Sequence, residues 1–230
     1  MSRFSINKVY VMAWVFDRHD LKFRRLQACA AFMGLSCLLS TGCSSGSDRV
    51  RPPSIGASMA GEAAVAEFDQ DGDQQLSAKE LEQAPGIQLD LLDRDTDGYL
   101  SSGEISDRIN EWQESGVGQL SHSLRVKIDK KPLADAEVTL EPYAFLGTNV
   151  LKATGVSDSD GVVVLAIEKS VRAAPNVPTM QYGFYRIRIS KKLGDKELIP
   201  KRFNLESGLG CEVAPNQRSS TKAISISSKH

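Results

Sequence analysis

The chain of 230 residues is 41% hydrophobic and 25% charged, with a formal net charge of −1; this excludes a disordered polymer or a multi-span membrane protein and leaves room for one or two modest domains. No basic excess advertises a nucleic-acid partner. The near-neutral sum hides an asymmetry, because residues 1–42 carry Arg3, Lys8, Arg18, Lys22, Arg24 and Arg25 against Asp17 and Asp20, and the remainder is left with 22 basic and 27 acidic residues, a net −5.

In chain order, Lys22, Arg24 and Arg25 lead into a sixteen-residue apolar run from Leu26 to Thr41. That run is shorter than the ~18–20 residues of a membrane span and suits a signal-peptide core. It ends in Leu39-Ser40-Thr41-Gly42-Cys43, which resembles a bacterial lipobox. The resemblance implies cleavage after residue 42, lipidation of Cys43 and a protein held at a membrane of the cell envelope, on its periplasmic or extracellular side. Residues 43–57, with Ser44-Ser45-Gly46-Ser47 and Arg51-Pro52-Pro53, read as a flexible tether. Cys29 and Cys37 fall in the apolar segment, so Cys211 alone remains beyond Cys43. A disulfide framework is excluded, and Cys211 reads as a small buried strand residue.

Residues 58–115 carry the chemistry. Asp69-Gln70-Asp71-Gly72-Asp73-Gln74-Gln75-Leu76-Ser77-Ala78-Lys79-Glu80 and Asp93-Arg94-Asp95-Thr96-Asp97-Gly98-Tyr99-Leu100-Ser101-Ser102-Gly103-Glu104 are twelve-residue segments that begin 24 positions apart. Each places acids at positions 1, 3, 5 and 12, leucine at 8 and serine at 9. Ca²⁺ is a hard cation that takes six to eight oxygens, and alternate residues of a tightly wound loop can aim carboxylates at one centre. Carboxylates so crowded repel one another unless a cation sits among them.

The two segments resemble the EF-hand family. The resemblance implies two Ca²⁺ ions: one held by Asp69, Asp71, Asp73, the Gln75 carbonyl and Glu80, the other by Asp93, Asp95, Asp97, the Tyr99 carbonyl and Glu104. Ser77 and Ser101 would hold a water or coordinate directly, and Leu76 and Leu100 would pair as a short antiparallel bridge. Position 6, where the backbone turns left-handed, is Gly98 in the second loop and Gln74 in the first. A non-glycine residue there costs about 1–2 kcal/mol, so the first site is expected to be the weaker, and Gly72 at position 4 is not expected to compensate. Flanking periodicity predicts an entering helix over Met59–Phe68, a short turn over Ala78–Gln83 stopped by Pro85-Gly86, and a helix with Ile105, Ile109 and Trp112 inward. The linking helices are clipped and no methionine-rich face exists, which favours a structural or buffering calcium over a signalling one.

From Gly116 the period changes to two. Segments 123–129, 136–141, 151–156, 161–167, 183–190, 211–213 and 223–227 read as about seven short strands, so residues 118–230 are expected to form an all-β antiparallel sandwich and the whole chain an α+β protein. Lys131 to Val138, with Asp135 where glycine is usual, the Thr154–Gly161 turn and the Gly183–Ile187 strand resemble the carboxypeptidase-regulatory-like, transthyretin-like sandwich. The combination is similar to calcium-binding lipoproteins of planctomycete bacteria. Asp158-Ser159-Asp160-Gly161 mimics a third metal loop, but Val162 stands at the next alternate position and a hairpin turn is expected.

Catalysis is not expected. The histidines are His19, His122 and His230, and no serine or cysteine lies in a nucleophile motif. Calcium as a structural staple is the first functional expectation, since a unit of about 60 residues has little core of its own. The alternative is a calcium-dependent docking module for an envelope protein or polysaccharide. Dockerins use paired loops in that way, but often end them in Asp, whereas Glu80 and Glu104 favour the EF-hand.

Overall fold

The computed structural model describes residues 50–216 and 222–229; the apolar leader and Cys43 lie outside the described residues. Helix α1 (Ala57–Phe68) buries Ala60, Gly61, Ala64, Val65 and Phe68, which recur along one helical face. The single turn α2 (Leu89–Leu92) follows. Helix α3 (Ser102–Glu114) buries Ile105, Ile109 and Trp112. Its start is fixed by a capping box: the Ser101 hydroxyl accepts the Glu104 N–H, and the Glu104 carboxylate accepts the Ser101 N–H. The helices α1 and α3 touch at Gly61, where an added Cβ would lie 2.2 Å from the Ser102 carbonyl oxygen. Only glycine permits that approach.

Between the helices, β1 (Gln75–Ser77) and β2 (Tyr99–Ser101) form a two-stranded antiparallel ribbon with Leu76 opposite Leu100. Beyond α3 the chain is β-rich: β3 (His122–Ile128), β4 (Lys131–Pro132), β5 (Glu137–Pro142), β6 (Ala153–Val156), β7 (Val162–Leu165), β8 (Gly183–Ser190), β9 (Lys192–Leu193), β10 (Lys196–Glu197), β11 (Gly210–Val213) and β12 (Lys222–Ile226). One sheet runs β11-β8-β5-β6, and another runs β12-β3-β4 with β7 also on β3. Alternation sends Leu124, Val126, Val138, Leu140, Val163, Leu165, Ile187, Ile189, Ile224 and Ile226 into one core. The protein is thus α+β with a β-rich body.

Two expectations need correction. The β-body is not wholly antiparallel, because β12 pairs with β3 in parallel, Ala223 opposite Arg125 and Ile226 opposite Ile128. The chain returns to its first long strand only after crossing the other sheet, and such a crossover permits the parallel sense that a hairpin forbids. The tether does not reach residue 57. Pro53 and Ile55 are buried, the Gln113 amide donates to the Ile55 carbonyl at 2.6 Å, and Asn149 donates to that of Ser54 at 2.8 Å. Residues 50–56 are laid onto the body because they bring apolar side chains to it.

The helices and the sheets share their core. Phe184 of β8 meets the Trp112 ring edge-on at 4.6 Å, and Phe68 meets Tyr143 and Phe145 edge-on at 5.8 and 6.4 Å. Next to Phe184 in register stands Glu212 of β11, 3% exposed. Its Oε1 accepts from Arg108 Nε at 2.6 Å and from Trp112 Nε1 at 2.9 Å. A buried carboxylate is tolerated where a cation and further donors satisfy it, and here both come from α3. The described residues all fall within one unit, 45–230, and no helix among them is long and apolar enough to cross a membrane.

Because this core is continuous, urea unfolding of residues 45–230 is expected to give one transition by far-UV circular dichroism and by the fluorescence of Trp112. Trp112→Ala, followed by circular dichroism, should lower stability by about 3–5 kcal/mol and still unfold in one transition. A helical signal lost well before the β signal would show that the two parts fold independently.

Candidate metal centre

Each acidic loop is wound by its own carboxylates. In the first, Asp69 Oδ1 accepts the Gly72 N–H at 2.7 Å and Oδ2 the Gln74 N–H at 2.9 Å. Asp71 accepts from Asp73, and Asp73 from Gln75. The second loop repeats this: Asp93 Oδ2 accepts the Gly98 N–H at 3.0 Å, Asp95 accepts from Asp97, and Asp97 from Tyr99. The closing glutamates match as well. Glu80 takes the Gln70 N–H at 2.6 Å on Oε1 and the Ser77 N–H and hydroxyl on Oε2. Glu104 takes the Arg94 N–H at 2.8 Å on Oε1 and the Ser101 N–H and hydroxyl on Oε2.

These donors set the charge state of the glutamates. The Gln70 N–H and the Ser77 N–H and hydroxyl hold the Glu80 carboxyl down at about 2. At Glu104 burial opposes ionisation, but the donors from Ser101 and Arg94 prevail and its pKa lies below the ordinary carboxylate value. Both closing groups are therefore anions at neutral pH.

The expected ligands are brought together unequally. Asp69, Asp71 and Asp73 each offer an oxygen within 4.8 Å of the others, and so do Asp93, Asp95 and Glu104. Glu80 does not belong to the first cluster, nor Asp97 to the second. Gln75 and Tyr99 sit in β1 and β2, where the leucine bridge couples the loops, with Leu76 and Leu100 fully buried.

One oxygen separates the two centres. Asp93 Oδ1 is buried and has no hydrogen-bond partner, whereas its counterpart on Asp69 is satisfied by Gly72. A desolvated carboxylate oxygen without a donor is costly, and a hard cation is the partner that an all-oxygen donor set suits. The residues of the second loop could thus hold a metal ion.

Backbone strain does not rank the loops as position 6 alone suggests. Gln74 does adopt a left-handed conformation, φ 67°, but position 4 is left-handed as well: Gly72 at φ 82° in the first loop, and Thr96 at φ 61° in the second beside Gly98 at φ 89°. Each loop therefore has one glycine and one strained residue at its two special positions. Sequence reasoning assigned the penalty to Gln74 alone and missed Thr96, a β-branched residue for which this conformation is rarer still. It also missed the Glu212–Arg108–Trp112 brace, whose one signal is a lone acid within the strand Cys211-Glu212-Val213. Asp158–Gly161 is a tight turn, with Asp158 Oδ1 accepting the N–H groups of Asp160 and Val162, but β6 and β7 on either side of it lie in different sheets, so it does not close the expected hairpin. Cys211 is buried, and burial pushes its thiol up to about 12.

Shared strain has a measurable consequence in metal-free protein. Relieving a left-handed residue gains about 1–2 kcal/mol, and the freer glycine returns about 0.4–1 kcal/mol of it to the unfolded state. Gln74→Gly and Thr96→Gly are each expected to raise the unfolding free energy, by similar amounts, in urea titrations. Stabilisation by Gln74→Gly alone would return the strain to the first loop. In comparisons with protein-family models, with curated proteins and with solved structures, the chain matches none.

Proposed function

We propose that this protein binds two calcium ions through an EF-hand pair set against a carboxypeptidase-regulatory-like β-sandwich, and that lipidated Cys43 anchors it in the cell envelope. The observation that carries the reading is the second acidic cluster, in which Asp93, Asp95 and Glu104 each offer a carboxylate oxygen within 4.8 Å of the others and Asp93 Oδ1 is buried without a donor. The same architecture occurs twice, and the two copies are bridged through Leu76 and Leu100.

Asp69, Asp71, Asp73 and Glu80, with the Gln75 carbonyl, would hold one ion. Asp93, Asp95, Asp97 and Glu104, with the Tyr99 carbonyl, would hold the other. Bound calcium supplies positive charge that offsets carboxylate repulsion. The chain's own contribution is to fix the donors: α1 ends on Asp69, the capping box of α3 orients Glu104, and the ribbon holds both loops in register. Calcium in this reading is a structural staple, and the protein is a binding protein and not an enzyme. On the alternative reading, calcium-dependent docking, the partner would be an envelope protein or a polysaccharide.

The second site should be the tighter, because its cluster includes the closing glutamate and an oxygen otherwise unsatisfied. Isothermal titration of residues 45–230 with calcium is expected to give a stoichiometry near two. Glu104→Gln should leave one site, and the thermal midpoint should fall on chelation, as it does whenever a ligand binds the native state alone. Absence of binding heat at millimolar calcium, the range of extracellular modules, would refute the proposal.

A further inference from the structure

We propose that the β9–β10 hairpin and the turn after it form a docking surface for an anionic lipid bilayer. The charges of the chain are segregated: residues 57–115 carry 15 acids against 3 bases, and residues 116–230 carry 17 bases against 11 acids. Within the basic part, Lys191, Lys192, Lys196, Lys201 and Arg202 fall in twelve consecutive positions. Three leucines lie among or beside them with their side chains in solvent, Leu193 at 73%, Leu198 at 40% and Leu205 at 66% exposure.

The hairpin register sorts these side chains. Leu193 lies opposite Lys196, and Lys192 opposite Glu197; the Leu198 N–H donates to the Lys191 carbonyl at 2.9 Å. Cross-strand partners share a face and neighbours alternate, so Lys191, Leu193, Lys196 and Leu198 form one face, and Glu197 is on the other. Glu197 is spent on holding the hairpin in place. Its carboxylate accepts from the Ser190 hydroxyl at 2.6 Å, from the N–H groups of Lys191 and Ile199, and from the Asn204 amide. Lys191 Nζ donates to the Ala134 carbonyl, and Arg202 lies over the Phe203 ring at 4.8 Å. Asp195 and Glu206 are the exposed acids of the stretch.

The exposed leucines stand singly among cations, beside an open hollow of about 280 Å³ lined by Glu197, Leu198, Ile199, Pro200, Lys201 and Ser228. They match a surface with diffuse negative charge over an apolar interior, where leucines enter the acyl boundary and lysines stay with the phosphates. The occupant that satisfies both is a bilayer containing acidic headgroups, and such a contact would orient the body independently of any acyl anchor.

The test is co-sedimentation of residues 45–230, which lack the apolar leader, with phosphatidylcholine vesicles with and without phosphatidylglycerol, at low salt and in chelator. Binding is expected only to the phosphatidylglycerol vesicles, and it should be released by high salt. At roughly fivefold per cation, Lys196→Gln with Lys201→Gln should weaken partitioning roughly 25-fold. Leu193→Ser with Leu205→Ser should weaken it by roughly tenfold or more. These side chains are exposed, so an unchanged thermal midpoint shows that the variants fold. Equal binding to neutral vesicles, or no binding, overturns the proposal. Binding only when calcium is added overturns it too, since the acidic loops would then be the bridge. Retention on a sulfated polysaccharide without vesicle binding would reassign the patch to an anionic polymer.

Discussion

Mutual repulsion among eight carboxylates in two short loops is the constraint that the rest of the structure answers. Within each loop the backbone N–H groups turn toward the acids and partly neutralise them, with left-handed residues at positions 4 and 6 and a main-chain donor on every loop aspartate. Such loops hold together only if their ends are fixed from outside. The fixing is done by α1, which delivers Asp69, by the capping box that begins α3, and by the Leu76–Leu100 bridge between the loops. What the backbone leaves unanswered is Asp93 Oδ1, and the proposed calcium answers it.

The helical part has no core apart from the sheets. α3 carries Glu104 at its first turn and Arg108 and Trp112 further along, and the latter two hold the buried Glu212 of β11. The same helix that closes the second loop is thereby fastened to a strand more than a hundred residues on. On the proposed reading, an ion at the loop and the salt bridge at the sheet would constrain one rigid element from both ends, which would give a structural calcium a direct route to the stability of the β-body.

Much of this was legible because it is periodic or local. The ribbon follows from leucine at position 8 of each loop, α3 from Ile105, Ile109 and Trp112 at helical spacing, and the strands from alternation, as in Ser123 to Ile128 or Phe184 to Ser190. What was hidden depends on partners distant in sequence. Nothing local tells that Glu212 meets Arg108, that β12 joins β3 in parallel, or that Pro53 and Ile55 lie on the body. Thr96 was overlooked for a different reason: a single glycine marks only one of two left-handed positions, and the other is visible only by comparing the loops, where Gly72 faces Thr96 and Gln74 faces Gly98. The β9–β10 hairpin was too short for alternation to register.

The most direct measurement is diffraction from crystals of residues 45–230 grown in calcium, with data collected for anomalous signal. The account predicts two anomalous peaks, one among Asp69, Asp71 and Asp73 and a stronger one touching Asp93 Oδ1, Asp95 and Glu104. Well-ordered loops without a peak in either cluster, with Asp93 Oδ1 paired to a protein donor, would contradict it.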